Sequence, residues 1–316
     1  MKKLFKVLAI ILGVIVVLGA VGSVLMGKYV AEKILLQNEG KDTRDNSVKQ
    51  LEVWGYDLDG FNETYQGTEI SAVASDGNEV PATYFDNGSE KCVILVHGAG
   101  GDRVCTYPLA QEYLERGYDV IAIDQRGSGV NPDDYVTFGI NESLDVAAMV
   151  EYARTSLEKS EVIVHGQSMG GQTTALYAAS VNRGDVNAAD AVILDSPVPG
   201  MELMLRLVFG DGEEGAHSAM TNYLISTSKI CLKLFYHVDI ADGDTIARAR
   251  DISIPTMVVI SEKDQVCLPQ YVQQIYDNIN CEKEVVRVDS AHIEGVIDDP
   301  EGYMNSVEAF LGNVGL

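Results

Sequence analysis

The stretch that decides the fold is Glu161-Val162-Ile163-Val164-His165-Gly166-Gln167-Ser168-Met169-Gly170-Gly171. Its first four residues are a short apolar run rich in β-branched side chains, which predicts a buried strand. Residues 166–170 match G-x-S-x-G, and a helix-like segment runs from Met169 to Val181. The five-residue match alone is weakly specific, but a strand–turn–helix setting is what a sharp turn that exposes a serine requires. Glycines beside Ser168 leave room for the strained backbone of such a turn.

Similar apolar runs occur on both sides of this stretch, at Cys92–Val96, Asp119–Ile123, Ala191–Leu194, Thr256–Ile260 and Glu284–Val288. Continuous apolar runs are typical of parallel strands that are buried on both faces. Helix-like segments separate most of them, at Val104–Arg116, Glu142–Ser156, Met169–Val181 and Gln270–Asn280. The alternation predicts an α/β fold with a mostly parallel sheet flanked by helices.

Two further strands are predicted ahead of the parallel set, at Thr64–Val73 and Val80–Phe85, around the turn Asp76-Gly77-Asn78. We expect this hairpin to add antiparallel strands at one edge of the sheet.

The interval from Pro197 to Ile252 is too long for a simple crossover between two strands. Its apolar stretches near Met201–Phe209 and Tyr223–Phe235 look helical, and a structureless loop of this length is improbable in a compact domain. We expect residues 197–252 to form an inserted helical lid over the C-terminal edge of the sheet. The alternative is an ordinary packed pair of helices with no gating role.

A serine hydroxyl needs a general base to act as a nucleophile, and five histidines are available. His292 follows the last predicted strand, so it falls at the edge where ligands meet in open α/β sheets. His97 ends a strand and opens a glycine loop, and His165 falls inside a strand end, where we expect it to be packed. His217 and His237 lie in the insertion. His292 is therefore the predicted base.

The histidine in turn needs an orienting carboxylate. Asp264, in Ser261-Glu262-Lys263-Asp264, follows the strand Thr256–Ile260 and is the predicted acid, with Glu262 and Asp195 as competitors. An oxygen that becomes negative during acyl transfer needs backbone donors. We expect these to be the N–H groups of Met169, directly after the serine, and of Ala99, in the loop of residues 97–101.

The N-terminus carries an uninterrupted run of 20 uncharged residues, Val7–Met26, preceded by Lys2, Lys3 and Lys6. About 20 apolar residues span a bilayer core as a helix. The flanking lysines place the short N-terminus in the cytoplasm and the rest of the chain outside the cell membrane as a single-pass protein. The alternative is a cleaved signal peptide, whose apolar core is usually shorter. We expect an anchor over 1–28, a stalk or linker over 29–63 and one catalytic domain over 64–316.

The charge and the cysteines exclude several other classes of function. The net charge is −24, and without the four lysines of the first 28 residues it is 19 − 47 = −28. Such a surface repels phosphate backbones, so we expect no nucleic-acid partner. The five cysteines form no C-x-x-C pair, which argues against a zinc site or a thioredoxin-type motif. We expect neither a metal nor an organic cofactor.

Together, the motifs Val96-His97-Gly98-Ala99-Gly100-Gly101, Asp124–Gly129, His165–Gly171, Ser261–Asp264 and Ala291–Ile293 resemble the α/β-hydrolase superfamily. More narrowly, the chain looks like membrane-anchored bacterial hydrolases described as serine aminopeptidase-like or prolyl-oligopeptidase-like. The resemblance covers about residues 65–312 and implies the triad Ser168, Asp264 and His292, which follows the family's chain order.

Three functions are compatible with these residues. The first is hydrolysis of an ester, thioester or amide of a small-molecule or peptide acyl substrate, through an acyl-enzyme on Ser168. The second is acyl transfer by the same covalent step, with an acceptor in place of water. The third is a non-catalytic binding protein, which the presence of all three triad residues disfavours. The fold alone does not determine the substrate.

Overall fold

The computed structural model describes residues 2–209 and 218–316. Eight strands form one sheet: β1 Thr68–Val73, β2 Glu79–Phe85, β3 Lys91–Val96, β4 Asp119–Ile123, β5 Glu161–Gln167, β6 Ala191–Asp195, β7 Thr256–Ser261 and β8 Lys283–Val288. Their order is β1-β2-β4-β3-β5-β6-β7-β8. Strands β3 to β8 pair in parallel, whereas β1 pairs with β2, and β2 with β4, in antiparallel fashion. The predicted parallel sheet with an antiparallel hairpin at one edge is confirmed.

The helices fall mainly between the strands, as predicted. They are α1 Lys2–Leu35, α2 Thr43–Trp54, α3 Leu58–Thr64, α4 Tyr107–Glu115, α5 Glu142–Thr155, α6 Met169–Ala178, α7 Met201–Phe209, α8 Ala219–Phe235, α9 Thr245–Arg248, α10 Pro269–Asn278, α11 Gly295–Asp298 and α12 Pro300–Asn313. Three short 3-10 segments accompany them, at Arg103–Thr106, Ile240–Gly243 and Ala249–Asp251. The first turn of the helix predicted over Val104–Arg116 is thus of the tighter 3-10 type.

The core of the sheet unit explains the apolar runs in the sequence. Every residue of β4, β6 and β7 is buried, because helices cover both faces of a central parallel strand. One large cluster joins side chains of several strands to Tyr113 of α4 and to Tyr303, Val307 and Phe310 of α12. Burial of each large apolar side chain contributes about 1.5–3 kcal/mol, so this cluster contributes substantially to stability.

The chain divides into two compact units. The sheet unit contains Leu36–Met201 and Asp242–Leu316. The other, which we call the helical unit, contains α1 together with the described residues of 202–241, including most of α7 and all of α8. The expected insertion over 197–252 is mainly helical where it is described, and its residues 210–217, with His217, lie outside the described residues. Its role as a lid stays a prediction.

The segment 29–63, expected as a stalk or linker, differs from that expectation. Residues 29–35 continue α1, and residues 36–63 belong to the sheet unit, where they form α2 and α3. Leu51 and Phe61 are buried in the apolar cluster that also contains Tyr113 and Phe310. Helix α2 begins at the N-cap Asp42, whose side chain accepts the N–H of Asp45, and ends at Gly55, whose φ of 70° suits glycine. The globular unit therefore begins near residue 36.

Within the described residues, α1 is the one helix long and apolar enough to cross a membrane. None of its most apolar window is buried against the rest of the protein. Its buried residues, Gly27, Ala31, Ile34 and Leu35, all lie past that window. Length and composition are properties that a permanent anchor shares with a signal sequence.

Candidate functional site

Ser168 occupies a sharp turn between β5 and α6. Its φ of 56° and ψ of −118° are strained values for a residue with a side chain. The glycines of the motif make the turn possible, because a Cβ on Gly166 would lie 2.1 Å from the carbonyl oxygen of Gly170. A Cβ on Gly170 would lie 2.0 Å from the carbonyl oxygen of Val96. The glycines of G-x-S-x-G are therefore required by close backbone packing.

Backbone hydrogen bonds hold this turn at the end of the sheet. The N–H of Ser168 donates to the carbonyl oxygen of Asp195 at 2.9 Å, which continues the pairing of β5 with β6 past Gln167. The carbonyl oxygen of Ser168 accepts from the N–H groups of Gln172 at 3.1 Å and Val198 at 3.2 Å. Because α6 begins at Met169, the positive end of its dipole and its first unpaired N–H groups lie at the serine.

His292 lies beside this serine, although 124 residues separate them in the chain. Its Nε2 is 2.8 Å from Ser168 Oγ, and its Nδ1 is 2.6 Å from Asp264 Oδ2. The imidazole is 19% exposed and the Asp264 carboxylate 1%. The structure thus brings together all three residues that the sequence predicts for the triad, in a continuous chain of hydrogen bonds.

The surroundings of Asp264 separate it from the two competing carboxylates. Its second oxygen, Oδ1, accepts the N–H groups of Val266 at 2.7 Å and Cys267 at 2.8 Å, so the carboxylate is held in one orientation. Glu262 instead accepts from Arg287 at 2.6 Å, and its side chain is 42% exposed.

Asp195 is buried below the turn. It accepts hydrogen bonds from Tyr303 at 2.9 Å and from Gln167 at 3.2 Å. Burial raises the pKa of Asp195, and these hydrogen bonds counteract that rise.

The glycine loop after β3 approaches the serine closely. A Cβ on Gly98 would lie 3.3 Å from Ser168 Cβ, so this position favours glycine. His97 is buried and structural: its Nδ1–H donates to Gly98 O at 2.7 Å, and its Nε2 accepts the N–H of Gln125 at 3.0 Å. The loop carries Ala99 to the pocket that Ser168 and His292 line. Ala99 thus lines the same pocket as Ser168, and Met169 directly follows the serine as the first residue of α6; their role as oxyanion donors stays a prediction.

The pocket above the serine has a wall that the sequence did not predict. Its volume is about 350 Å³, and α2 lines it with Asn46, Ser47, Gln50 and Trp54. The indole N–H of Trp54 donates to Glu294 Oε1 at 3.1 Å, which fixes the ring. The cap residues Asp42 and Gly55 mark the ends of this helix in the sequence, but its mostly polar composition masks the face that packs into the sheet unit.

A buried polar network lies beneath the site. Tyr113 and Tyr303 place their hydroxyls 2.9 Å from His165 Nδ1 and 3.0 Å from His165 Nε2. Because Tyr303 donates its own proton to Asp195, its oxygen accepts from Nε2–H, and Nδ1 accepts from Tyr113. His165 is fully buried, and this burial lowers its pKa to about 3. It is packed as expected and stays neutral.

Within the part of the chain that the structure describes, Asp264, Cys267 and His292 are the group whose donor atoms lie close enough to share a metal ion, within 4.8 Å of one another. Metal binding to cysteine requires the thiolate, but burial raises the pKa of Cys267. Asp264 and His292 are already hydrogen-bonded to each other. These contacts favour the Asp–His pair over a metal centre.

Comparisons with known proteins agree with this geometry. Residues 91–229 match a family model described as alpha/beta hydrolase fold. The chain is 25% identical over 183 residues to the uncharacterized protein YfhR of Escherichia coli strain K12, a match that covers 55% of this chain and 63% of that protein. It is 20% identical over 334 residues to the uncharacterized protein YqkD of Bacillus subtilis, covering 99% of this chain and 98% of that protein.

Among solved structures, the esterase Pf2001 of Pyrococcus furiosus superposes with a TM-score of 0.62 at 22% identity, covering 82% of this chain and 96% of the esterase. At that identity the likeness shows the fold. The sheet order, the family match and this likeness together show that the chain has the α/β-hydrolase fold, and they support its assignment as a hydrolase.

Proposed function

We propose that the chain is a serine hydrolase that cleaves an ester, thioester or amide through an acyl-enzyme on Ser168. The observation that carries this proposal is the continuous relay from Ser168 Oγ through both ring nitrogens of His292 to Asp264, with distances of 2.8 and 2.6 Å. Such a relay raises the nucleophilicity of a hydroxyl at neutral pH. The family match and the esterase neighbour support the same class of reaction.

The proposed first step is attack of Ser168 Oγ on the substrate carbonyl carbon while its proton passes to His292 Nε2. Asp264 accepts the hydrogen bond from Nδ1–H, which keeps the ring oriented and stabilises the imidazolium. The negative oxygen is bound by the N–H groups of Met169 and Ala99 and is favoured by the N-terminus of α6. His292 then returns the proton to the leaving alcohol, thiol or amine.

In the second step, water gives a proton to His292 and adds to the acyl carbon. His292 then returns this proton to Ser168 Oγ as the ester bond breaks, which releases the acid and regenerates the serine. An acyltransferase would use an alcohol or amine as the acceptor instead. The pocket of about 350 Å³ fits a small acyl substrate, since ligand sites span about 300–1,000 Å³. Product analysis with and without an added acceptor separates these two reactions.

We further propose that α1 is a permanent single-pass anchor and that the sheet unit lies outside the cell membrane. Lys2, Lys3 and Lys6 precede the apolar run, which favours a cytoplasmic N-terminus. The far end of α1 packs against α8 in the helical unit. This packing supports retention of α1, because cleavage before Gly27 would remove the segment that α8 contacts near Ser23.

A fluorophosphonate probe applied to the full chain in detergent tests the reaction. Wild type should be labelled and Ser168→Ala should not. In a separate steady-state assay, Ser168→Ala should lower kcat/KM by at least about 10⁴-fold. The matched control is Ser261→Ala, a buried serine at the end of β7 whose Oγ lies 3.0 Å from Ser196 Oγ. We expect it to retain labelling. Equal labelling of wild type and Ser168→Ala contradicts the proposal.

A further inference from the structure

Helix α8 packs along the last part of α1 in the helical unit, and its contacts follow a regular order. Tyr223 donates its hydroxyl proton to Ser23 Oγ at 2.6 Å, and Tyr236 donates to Glu32 Oε1 at 2.8 Å. Between them, Lys28 Nζ lies 5.9 Å from the centre of the Phe235 ring. Residue numbers rise together in the two helices, so they run in the same direction.

The two helices approach most closely at Gly27. A Cβ at this position would lie 2.7 Å from the carbonyl oxygen of Thr227 and 2.9 Å from Cys231 Sγ. The Cys231 thiol also points to the carbonyl oxygen of Val24, 3.6 Å away. Small residues permit such close approach of helices. The glycine therefore sets where along α1 the second helix lies.

This contact region straddles the end of the apolar run Val7–Met26. With a rise of 1.5 Å per residue, Ser23 lies about 5 Å inside the run's end and Glu32 about 9 Å beyond it. The headgroup layer on each side of a bilayer is about 5–8 Å thick. If α1 crosses a bilayer, the first turns of α8 lie at the level of the outer acyl chains, and its last turns lie at the level of the headgroups.

One face of α8 carries exposed apolar side chains in helical spacing. Met220, Tyr223, Ile230 and Leu234 are 65%, 42%, 57% and 66% exposed. The buried residues Ile225, Ser228, Cys231 and Leu232 lie on a different face. Exposed polar residues occupy a third face: Asn222, Ser226 and Lys233. A soluble surface helix would normally place polar residues where this apolar stripe lies.

We propose that this stripe binds the outer surface of the same bilayer that α1 crosses, with Met220 and Tyr223 among the upper acyl chains and Leu234 among the headgroups. The inference rests on the proposed anchor. Lipid is favoured as the occupant because the stripe adjoins the exposed apolar surface of α1. Aromatic side chains also cluster at the expected interface, with Tyr29, Tyr223 and Phe235 all exposed. Since the chain is strongly acidic, insertion depends on apolar burial and needs no anionic lipid.

Depth-dependent quenching of tryptophan fluorescence tests this arrangement. The full chain, with its single tryptophan replaced by Trp54→Phe, is reconstituted in phosphatidylcholine vesicles with bromines on the upper acyl chain. Met220→Trp is compared with Asn222→Trp, which lies two residues away on the polar face. We expect quenching of Met220→Trp by about twofold or more, as for groups buried 5–10 Å into the boundary, and much weaker quenching of Asn222→Trp. The adjacent pair Leu234→Trp and Lys233→Trp should both be quenched weakly.

A reference variant, Leu18→Trp, separates the possible failures. If Leu18→Trp is not quenched, α1 does not cross the bilayer, and this result refutes both the proposed anchor and the proposed contact of α8 with lipid. If Leu18→Trp is quenched but Met220→Trp is quenched no more than Asn222→Trp, the anchor stands and the bilayer-bound face of α8 is refuted. Shielded, blue-shifted emission from Met220→Trp without bromine quenching also refutes it, because a protein surface would then cover the stripe.

Discussion

The buried histidine of β5 makes the stability of the sheet unit depend on pH. His165 is fully buried, and its pKa falls from about 6.5 in the unfolded chain to about 3 in the folded one. Between these values the unfolded chain binds a proton that the folded chain does not. The contribution of neutral His165 to the free energy of unfolding is therefore fully present above pH 6.5 and is lost as the pH falls toward 3.

The magnitude follows from the two pKa values. The full loss, if the pH reached 3, would be about 5 kcal/mol, from 1.36 kcal/mol per pKa unit. At pH 4.5 the loss relative to pH 7.5 is about 3 kcal/mol, a large part of the 5–15 kcal/mol that stabilises typical domains. Other groups add their own pH dependence, and the raised pKa of Asp195 acts in the opposite direction. The contribution of His165 is therefore isolated by comparing the pH dependence of unfolding in wild type with that in a variant that lacks the imidazole.

His165→Gln is that variant, because its amide can donate to Tyr303 and accept from Tyr113 without titrating. Urea unfolding is followed in detergent by the fluorescence of Trp54, which packs against the core of the sheet unit. We expect the free energy of unfolding of wild type to fall by about 3 kcal/mol relative to that of His165→Gln between pH 7.5 and 4.5. The control, Tyr113→Phe, removes one hydrogen bond but keeps the imidazole. Its free energy of unfolding should be about 1 kcal/mol lower than that of wild type at both pH values. A constant difference between wild type and His165→Gln over this range would refute the reasoning.

Three further substitutions test other parts of the structure. Asp264→Asn should lower kcat by about 10³–10⁴-fold in a steady-state assay, because it no longer holds the imidazole in the reactive tautomer; unchanged kcat would exclude Asp264 as the acid. Gly166→Ala places a Cβ 2.1 Å from the carbonyl oxygen of Gly170, so urea unfolding should show a loss of about 3 kcal/mol or a failure to fold. Arg126→Met leaves the buried carboxylate of Asp145 unpaired and should cost about 3–5 kcal/mol at pH 7, and a loss under 1 kcal/mol would contradict this.

The central part of the sheet was predictable because its strands are buried on both faces. An apolar run then has sharp ends, and β4 begins and ends at the predicted residues, Asp119 and Ile123. The strand before the nucleophile extends three residues beyond its predicted end, to Gln167, because the turn residues still pair with β6. The strand predicted over Thr64–Val73 begins only at Thr68, since its first residue ends α3.

The choice among three carboxylates was less predictable, because it depends on contacts between residues that are distant in the chain. Glu262 and Asp264 lie two residues apart on the same loop. Glu262 reaches Arg287 of β8, and Asp264 reaches His292 beyond that strand. Chain order favoured Asp264, but the side-chain directions within a loop are visible only in the folded structure.

The two sides of the site depend on the sequence in different ways. The turn at Ser168 depends mainly on its own short motif, because a Cβ at Gly166 or Gly170 would collide with nearby backbone oxygens. The wall from α2 is encoded by tertiary packing, since Leu51 anchors the helix while polar residues such as Gln50 face the pocket. Substitutions in α2 can therefore change which substrate fits without changing the chemistry. In the proposed reaction, the local motif supplies the nucleophile, and the packed helix shapes the pocket that receives the substrate.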